Sequence, residues 1–157
     1  MDAEDILKYG NRTLMTTLEG IPVEKWSTDG VCGWWSVKDI IAHLASYEQV
    51  LVEVLGNLVD GRPTPTLKLF AHENFNDLQV EQRQDNSPMQ VKAEYEDTHQ
   101  KVRKLIAQVS VETRRQKGVL AWYGGEYDLE DFLVYSFYGH KREHSAQIAV
   151  FKDTLKD

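Results

Sequence analysis

The sequence predicts an all-α protein built as a four-helix bundle. Four stretches repeat apolar residues at intervals of three and four, which is the period of an amphipathic helix. Stretches that combine glycine and proline, such as "GRPTP", lie between these four. No segment of any length alternates apolar and polar residues as a half-buried strand does. Because amphipathic helices can bury their apolar stripes only against one another, a bundle follows.

The first two helices have recognisable ends. The first is expected over residues 3–19, after which a glycine and a proline stop it. The second is expected to begin after Ser36, which opens "SVKD" as an N-cap with an acidic residue three positions on. Its apolar residues continue at helical spacing until Gly61. This is the most strongly patterned helix of the chain.

Two further helices follow a polar, turn-rich connection. A helical lead-in is expected over residues 69–83, and the third helix begins at Pro88, with Ser87 as its cap. The fourth is expected over residues 129–155, with Asp128 as its cap. The long connection after the second helix leaves open a crossover instead of a simple up-down-up-down order.

Composition limits the function classes. A chain of 157 residues with 41% hydrophobic residues fits one domain over residues 1–157. The net charge of -7 provides no broad cationic surface for nucleic acid. The only cysteine, Cys32, cannot form an internal disulfide, and no apolar run is long enough to cross a bilayer. We therefore expect a cytoplasmic protein without nucleic-acid or membrane partners.

Two histidines occupy core positions of the fourth helix. Residues four apart on a helix project from one face about 5–6 Å apart, so both imidazoles could reach one ion. Buried histidines bonded to tyrosine or glutamate are the alternative. Two unpaired buried imidazoles cost desolvation energy, so the pair requires some partner. The predicted inward set is Leu133, Phe137, His140, His144, Ile148, Phe151 and Leu155.

A third histidine, His43, lies on the flank of the apolar stripe of the second helix. Three imidazoles from two helices would leave open positions on an ion for water or substrate, as catalytic metal sites do. His72 and His99 compete for the third place, but both are expected to be solvated.

The segment "HKREH" also satisfies the H-x-x-E-H pattern of inverzincin metalloproteases, with Glu143 as the base. Those enzymes take a third, acidic ligand from a later helix. Only 13 residues follow His144, and all are expected on the same helix. We therefore disfavour a protease and expect Glu143 at the surface or just outside the ligand shell.

Three segments resemble the DinB-like superfamily, which includes the YfiT-type proteins. They are "KWSTDGVCGWWSVKDIIAHLASYE", "FNDLQVEQRQDNSPMQVKAEY" and "YGHKREHSAQI". The resemblance implies a four-helix bundle in up-down-down-up order, commonly a homodimer, that holds a divalent metal such as zinc or nickel. By position, the ligands would be His43, His140 and His144. The second-helix pattern comprises Trp35, Ser36, Lys38, Asp39 and His43.

The resemblance predicts the fold more specifically than the function. Similar proteins include maleylpyruvate isomerases and transferases that use mycothiol or bacillithiol. It implies a divalent-metal-dependent enzyme acting on a small molecule, either a hydrolase or a low-molecular-weight-thiol-dependent transferase. A bound ion could activate either water or a thiol. The alternatives are a non-catalytic, dimeric bundle that binds a metal or ligand, and a bundle whose histidines bind nothing.

Several other side chains have two interpretations. Loop aromatics could form the walls of a ligand pocket or simply pack the bundle end. Tyr47 could support a ligand or belong to the core, Glu48 is expected to be structural, and Cys32 is expected to be inert. Lysines and arginines of the third and fourth helices are expected on a solvated face. The loop aromatics are Trp34, Trp35, Trp122, Tyr123 and Tyr127.

Overall fold

The computed structural model describes residues 2–156 and confirms the all-α prediction. Helix accounts for 67% of the chain, and no strand occurs in those residues. The four longest helices fall within the four predicted ones, and the fold is consistent with a helical bundle of the DinB-like type. None of the described helices is long and apolar enough to span a membrane. The helices are α1 (Ala3–Leu18), α2 (Val37–Asp60), α3 (Pro65–Leu69), α4 (Phe75–Glu81), α5 (Pro88–Ile106), α6 (Val111–Arg114), α7 (Leu129–Leu133) and α8 (His140–Thr154), with a 3₁₀ turn at Val23–Lys25 and a π-helical segment at Val134–Gly139.

Side chains cap the helices at the predicted places. Ser36 and Asp39 form a reciprocal capping box at the start of α2, and Gly61 ends that helix with a left-handed φ of 71°. At α5 the Ser87 hydroxyl accepts from the Gln90 backbone N–H, while the Gln90 side chain accepts from the Ser87 N–H. These bonds satisfy backbone groups that a helix end leaves unpaired, so they fix where each helix begins.

The predicted lead-in over 69–83 is two short helices, α3 and α4. The buried Glu53 of α2 explains why α3 begins earlier than predicted. Its Oε1 accepts from the backbone N–H groups of Thr66 at 2.7 Å and Leu67 at 3.0 Å. A carboxylate at a helix N-terminus stabilises that end, and this partner lies too far away in sequence to be recognised from local residues.

The chain divides into two compact units. The first unit comprises residues 2–19 and 106–156, and the second comprises residues 20–105. In the first unit, α1 packs against α8 and the π-helical segment. A Cβ atom on Gly10 would lie 2.6 Å from the carbonyl oxygen of Phe137, so only glycine permits this approach of two backbones.

In the second unit, α2 packs against α3 and α4. Arg83 follows α4 and forms two bonds to the carboxylate of Glu94 in α5, each 2.9 Å long. A two-point guanidinium–carboxylate pair fixes orientation as well as distance, so it ties the end of α4 to α5. The single domain over residues 1–157 and the up-down-down-up order stay predictions.

Candidate metal centre

His140 and His144 lie one turn apart at the start of α8, with their rings close together. Their Nε2 atoms are 3.0 Å apart, and the ring centroids are 4.6 Å apart. Two imidazole nitrogens bound to one tetrahedral zinc ion at about 2.0–2.1 Å lie about 3.3 Å from each other. The spacing of the pair is therefore close to that of two ligands on one ion.

Gln147 selects the tautomer of His144. The Nδ1 atom of His144 lies 2.8 Å from the Gln147 Oε1, an acceptor, so Nδ1 carries the proton. A neutral imidazole protonated at Nδ1 has its lone pair on Nε2, which is the atom beside His140. Metal-ligating histidines commonly donate their other ring N–H to an oxygen in this way. Sequence reasoning missed Gln147, although its position three residues after His144 was the available signal.

Both imidazoles are held neutral. Burial, followed by repulsion from His144, lowers the pKa of His140 from 6.5 to about 4, and a hydrogen bond with the Ser136 backbone acts in the opposite direction. Burial also lowers the pKa of His144, against the opposing effects of Gln147 and Glu143. Only the neutral ring can donate a lone pair to a metal, so both rings are in the competent form at neutral pH.

The fourth predicted helix is not continuous, which corrects the sequence prediction over 129–155. Six residues between α7 and α8 are π-helical and end at Gly139, next to His140. A π-helical turn contains more residues than an α-helical turn, so it changes which side chains follow one another along a face. The closest approach of α1, at Gly10, falls on Phe137 within this segment. The π-helical segment therefore occurs where α1 packs against the chain. The helical period of the sequence alone could not predict it.

The buried face of α8 differs from the predicted one. Lys141 is only 1% exposed, so its assignment to a solvated face was wrong, and Ser145 is also buried. Phe151 and Leu155 of the predicted inward set are only half-buried. Lys141 lies four residues after the buried Phe137, which was the signal available in the sequence.

His43 lies in the first half of α2 and is 2% exposed. Its ring lies between Trp35 and Tyr47, with centroid distances of 4.8 Å to each. Burial raises the pKa of Tyr47, whose side chain also bonds to Asn76. The imidazole is therefore held between two aromatic rings, in a better-buried place than the flank that its sequence position indicates.

The residues around the W-S-x-K-D pattern form the start of α2. The Asp39 backbone N–H donates to the Ser36 hydroxyl at 3.1 Å, and the Ser36 N–H donates to Asp39 Oδ2 at 3.0 Å. Lys38 donates to the Gln84 carbonyl at 2.7 Å, and the Gln84 amide donates to the other Asp39 oxygen at 3.0 Å. The pattern thus fixes the first turn of α2 and places His43 one turn further on.

His43 belongs to the unit of residues 20–105, whereas His140 and His144 belong to the unit of residues 2–19 and 106–156. Three imidazoles are a donor set that catalytic zinc sites use, with a further coordination position left open. The His140–His144 pair offers two such donors at ligand spacing within one unit. The three-histidine set that includes His43 stays a prediction.

The competing histidines lie elsewhere, and one of them corrects a prediction. His72 is exposed, as expected. His99 is 2% exposed, so its assignment as a solvated residue was wrong. Its Nδ1 lies 3.3 Å from the Oε2 of the fully buried Glu48 of α2. The ring also stacks on Tyr95 at 6.1 Å, one turn earlier on α5, and this apolar neighbour was the missed signal.

The loop aromatics do not behave as one group. Trp122 and Tyr123 contact the ring of Phe132 at 5.3 and 4.9 Å, which is ordinary packing onto α7. Trp34 is 49% exposed, whereas Trp35 is buried against His43. Among these aromatics, Trp35 is the one whose ring contacts a predicted ligand.

Two other predicted side chains take no part in the histidine set. Glu143 is exposed, as expected, and cannot serve as a buried base beside the pair. Cys32 is half-buried in the turn that bridges to Trp35. Its place in that turn is structural.

The all-helical architecture is that of the DinB/YfiT-like superfamily of helical metal-binding proteins. Within it, the chain belongs to the family of the mycothiol maleylpyruvate isomerase N-terminal domain, whose model matches residues 9–127. His43 lies inside the matched residues, whereas His140 and His144 lie after them. No curated protein and no solved structure matches the chain.

Proposed function

We propose that the protein is a divalent-metal-dependent enzyme that uses a low-molecular-weight thiol to transform a small electrophilic molecule. The metal ligands in this proposal are His43, His140 and His144. The observation that carries it is the His140–His144 pair, whose Nε2 atoms lie 3.0 Å apart, close to the spacing of two ligands on one ion. His43 joins this pair in the proposal on the strength of the family resemblance. The Gln147 bond, which leaves the His144 lone pair on Nε2, supports it further. The roles of His140 and His144 rest on this geometry, because the family match ends before them.

A thiol co-substrate is favoured over water on two grounds. The family is described by a mycothiol-using isomerase, which is a thiol-dependent reaction. A hydrolase of the H-x-x-E-H type would need Glu143 as a buried base, and that side chain is exposed. Hydrolysis at the same ligands is therefore the less supported chemistry.

The chain would contribute ligands, orientation and exclusion of water. A zinc or nickel ion held by neutral imidazoles supplies a Lewis acid that lowers the pKa of a coordinated thiol. His140 and His144 are neutral at neutral pH, so no proton competes for their lone pairs. The rings of Trp35 and Tyr47 cover His43 and keep water from its faces.

Metal content and turnover test this proposal together. Protein purified without an affinity tag, loaded with zinc or nickel and dialysed, is expected to retain about one equivalent of metal. His43→Ala and His144→Ala should each lose most of it, whereas His72→Ala, which replaces an exposed histidine, should retain it. Turnover would be measured with thiols paired with electrophiles, and should follow metal content.

The outcomes separate the candidate functions. Metal retained by His43→Ala and His144→Ala would contradict the ligand assignment. Metal bound as proposed, with no thiol-dependent turnover in any pairing, would favour the non-catalytic binding bundle instead.

The cytoplasmic location, the homodimer and the single domain belong to the proposal as well. The homodimer follows from the resemblance, and light scattering coupled to size-exclusion chromatography tests it. A monomeric mass at micromolar concentration would contradict it.

A further inference from the structure

A groove on the first unit runs between the middle of α1 and the end of the π-helical segment. Its volume is about 440 Å³. Small-molecule sites commonly have volumes of about 300–1,000 Å³, so the groove is large enough for a small ligand. None of its lining residues belongs to the histidine set, and all of them lie in the first unit. The lining residues are Tyr9, Arg12, Thr13, Thr16, Thr17 and Tyr138.

Close packing of α1 on the π-helical segment brings the two walls of the groove together. A Cβ atom on Gly10 would lie 2.6 Å from the Phe137 oxygen and 3.4 Å from the Tyr138 Cα. The absence of a side chain at Gly10 therefore lets the two backbones meet. The buried leucines of α1 lie on the other face of this helix and anchor it in the unit. Both walls are consequently held in place by the fold.

The walls of the groove are cationic, although the protein has a net charge of -7. Residues 6–18 of α1 include Lys8 and Arg12 and no carboxylate. Residues 132–142, on the other wall, include Arg142 and likewise no carboxylate. A concave surface lined by charge of one sign attracts ligands of the opposite sign. The groove therefore favours an anion.

Two hydrogen-bond donors of the groove are available to such an anion. Arg12 is exposed, and its guanidinium forms no ion pair or hydrogen bond within residues 2–156. The Tyr138 hydroxyl accepts from Arg142 Nη1 at 3.2 Å, so it keeps its own proton to donate. A guanidinium can donate two parallel hydrogen bonds to one phosphate or carboxylate group. Arg12 is thus the side chain best suited to hold the charged group.

Two tyrosine rings give the groove an apolar surface for a flat ligand. Tyr9 is 38% exposed, and Tyr138 is half-buried. Lys8 Nζ lies 5.4 Å from the ring centroid of Tyr9, and the guanidinium carbon of Arg142 lies 5.7 Å from that of Tyr138. Aromatic rings provide a large apolar contact area and pack favourably against other rings. The groove therefore combines aromatic surface with positive charge.

We infer that this groove is a binding site for a small aromatic anion. The ring of the ligand packs on Tyr9 and Tyr138, and its phosphate or carboxylate group accepts hydrogen bonds from Arg12. The site goes beyond the proposed function and does not depend on it, because no metal takes part. Phosphate and carboxylate share the chemistry that a guanidinium recognises, so the experiment includes both.

Titration of the metal-free full chain with 2-naphthyl phosphate tests the inference, with binding followed by the backbone amide resonances. Two further ligands separate ring from charge, since 2-naphthol has the ring alone and inorganic phosphate has the charge alone. We expect the aryl phosphate to bind at least about tenfold more tightly than either. The shifted resonances should be those of residues 9–17 and Tyr138. A parallel titration with 2-naphthoate shows which acid group the site prefers.

Arg12→Gln removes the charge of the groove at an exposed position. Its affinity for 2-naphthyl phosphate should fall about tenfold, because a hydrogen bond to a charged group is lost. Its affinity for 2-naphthol should not change. Arg103→Gln, at an exposed position of α5, is the matched control and should bind every ligand as the wild type does. Tyr9→Leu should weaken the binding of both ring-bearing ligands.

The outcomes decide the inference separately from the metal centre. Equal affinity of Arg12→Gln and wild type for 2-naphthyl phosphate would overturn it. So would saturable binding that shifts the resonances of His140 and His144 and leaves residues 9–17 unmoved. Absence of binding of either aryl anion to the wild type would also overturn it. Binding of only one of the two aryl anions in the groove would support the inference and identify the acid group.

Discussion

α2 and the α7–α8 region both carry proposed metal ligands, yet their backbones are determined differently. α2 runs without interruption from Val37 to Asp60 behind a capping box, so its cap and its period place His43. The region before His140 contains a π-helical segment against which α1 packs closely at Gly10. The position of His43 therefore follows from local sequence, whereas the positions of His140 and His144 depend on packing against α1.

The largest expected effect concerns protonation of the α8 pair in metal-free protein. Above pH 6.5 neither the folded nor the unfolded chain protonates His140. Between pH 6.5 and about 4, the unfolded chain takes up a proton that the folded protein resists. The free energy of unfolding should therefore fall by up to about 3 kcal/mol over this window. Denaturant unfolding in EDTA, at a series of pH values, measures the change.

His140→Asn is the control for this pH dependence. The variant removes the titrating ring, so it should lack the part of the pH dependence that His140 causes. As the pH falls from 6.5 to about 4, the unfolding free energy of the wild type should therefore fall more than that of the variant. Two curves that remain parallel from pH 6.5 to 4 would show that His140 is not held neutral by burial.

Gly10→Ala tests whether the distant helix controls the α7–α8 backbone. The added Cβ would lie 2.6 Å from a backbone oxygen that cannot rotate away, so we expect a loss of stability of about 2 kcal/mol. Gly56→Ala in α2 is the matched control, because its Cβ would meet the flexible side chain of Arg62 at 3.0 Å. That variant should be nearly neutral. Equal thermal stabilities of the two variants would contradict the proposed difference between the regions.

Gln147→Leu should weaken metal binding without unfolding α8. It removes the acceptor that holds the proton on His144 Nδ1, so we expect about a tenfold loss of zinc affinity. Competition titration with a chromophoric chelator measures this loss. The matched control is Gln100→Leu, at an exposed position of α5, which should retain full affinity. Unchanged affinity in Gln147→Leu would show that Gln147 does not support the metal ligand.

The smallest expected effect is at the N-cap of α2. Ser36→Ala removes the hydroxyl that receives the Asp39 N–H and should cost about 1 kcal/mol of unfolding free energy. Ser36→Asn restores a capping oxygen and should recover most of that stability. If Ser36→Ala costs nothing by denaturant unfolding, the start of α2 is set by packing rather than by its cap.

Much of the fold could be predicted because its signals are local. The Ser36 and Ser87 caps and the Gly61 terminus appear where the sequence indicates. The π-helical segment could not be predicted, because no residue type marks it and α1 contacts it from more than a hundred positions away in the sequence. The start of α3 was missed for a similar reason, since Glu53 reaches it from α2.

In the candidate site, too, the features set by local sequence were predictable and those set by contacts were not. The i, i+4 pair of α8 was predictable, because helical geometry places both rings on one face whenever the helix forms. The contacts of Trp35 with His43 and of Gln147 with His144 were not, since they depend on ring packing and on which imidazole nitrogen carries the proton. His99 was misjudged because its charged sequence neighbours lie on other faces of α5, while its own face meets Glu48.

X-ray absorption spectroscopy of the zinc-loaded, tag-free protein tests the three-histidine centre most directly. We predict scattering from three imidazole rings, with nitrogens at about 2.0–2.1 Å from the ion, and one ring fewer in His43→Ala. A zinc ion with two or fewer imidazole ligands in the wild type, or an identical spectrum in His43→Ala, would contradict the three-histidine centre.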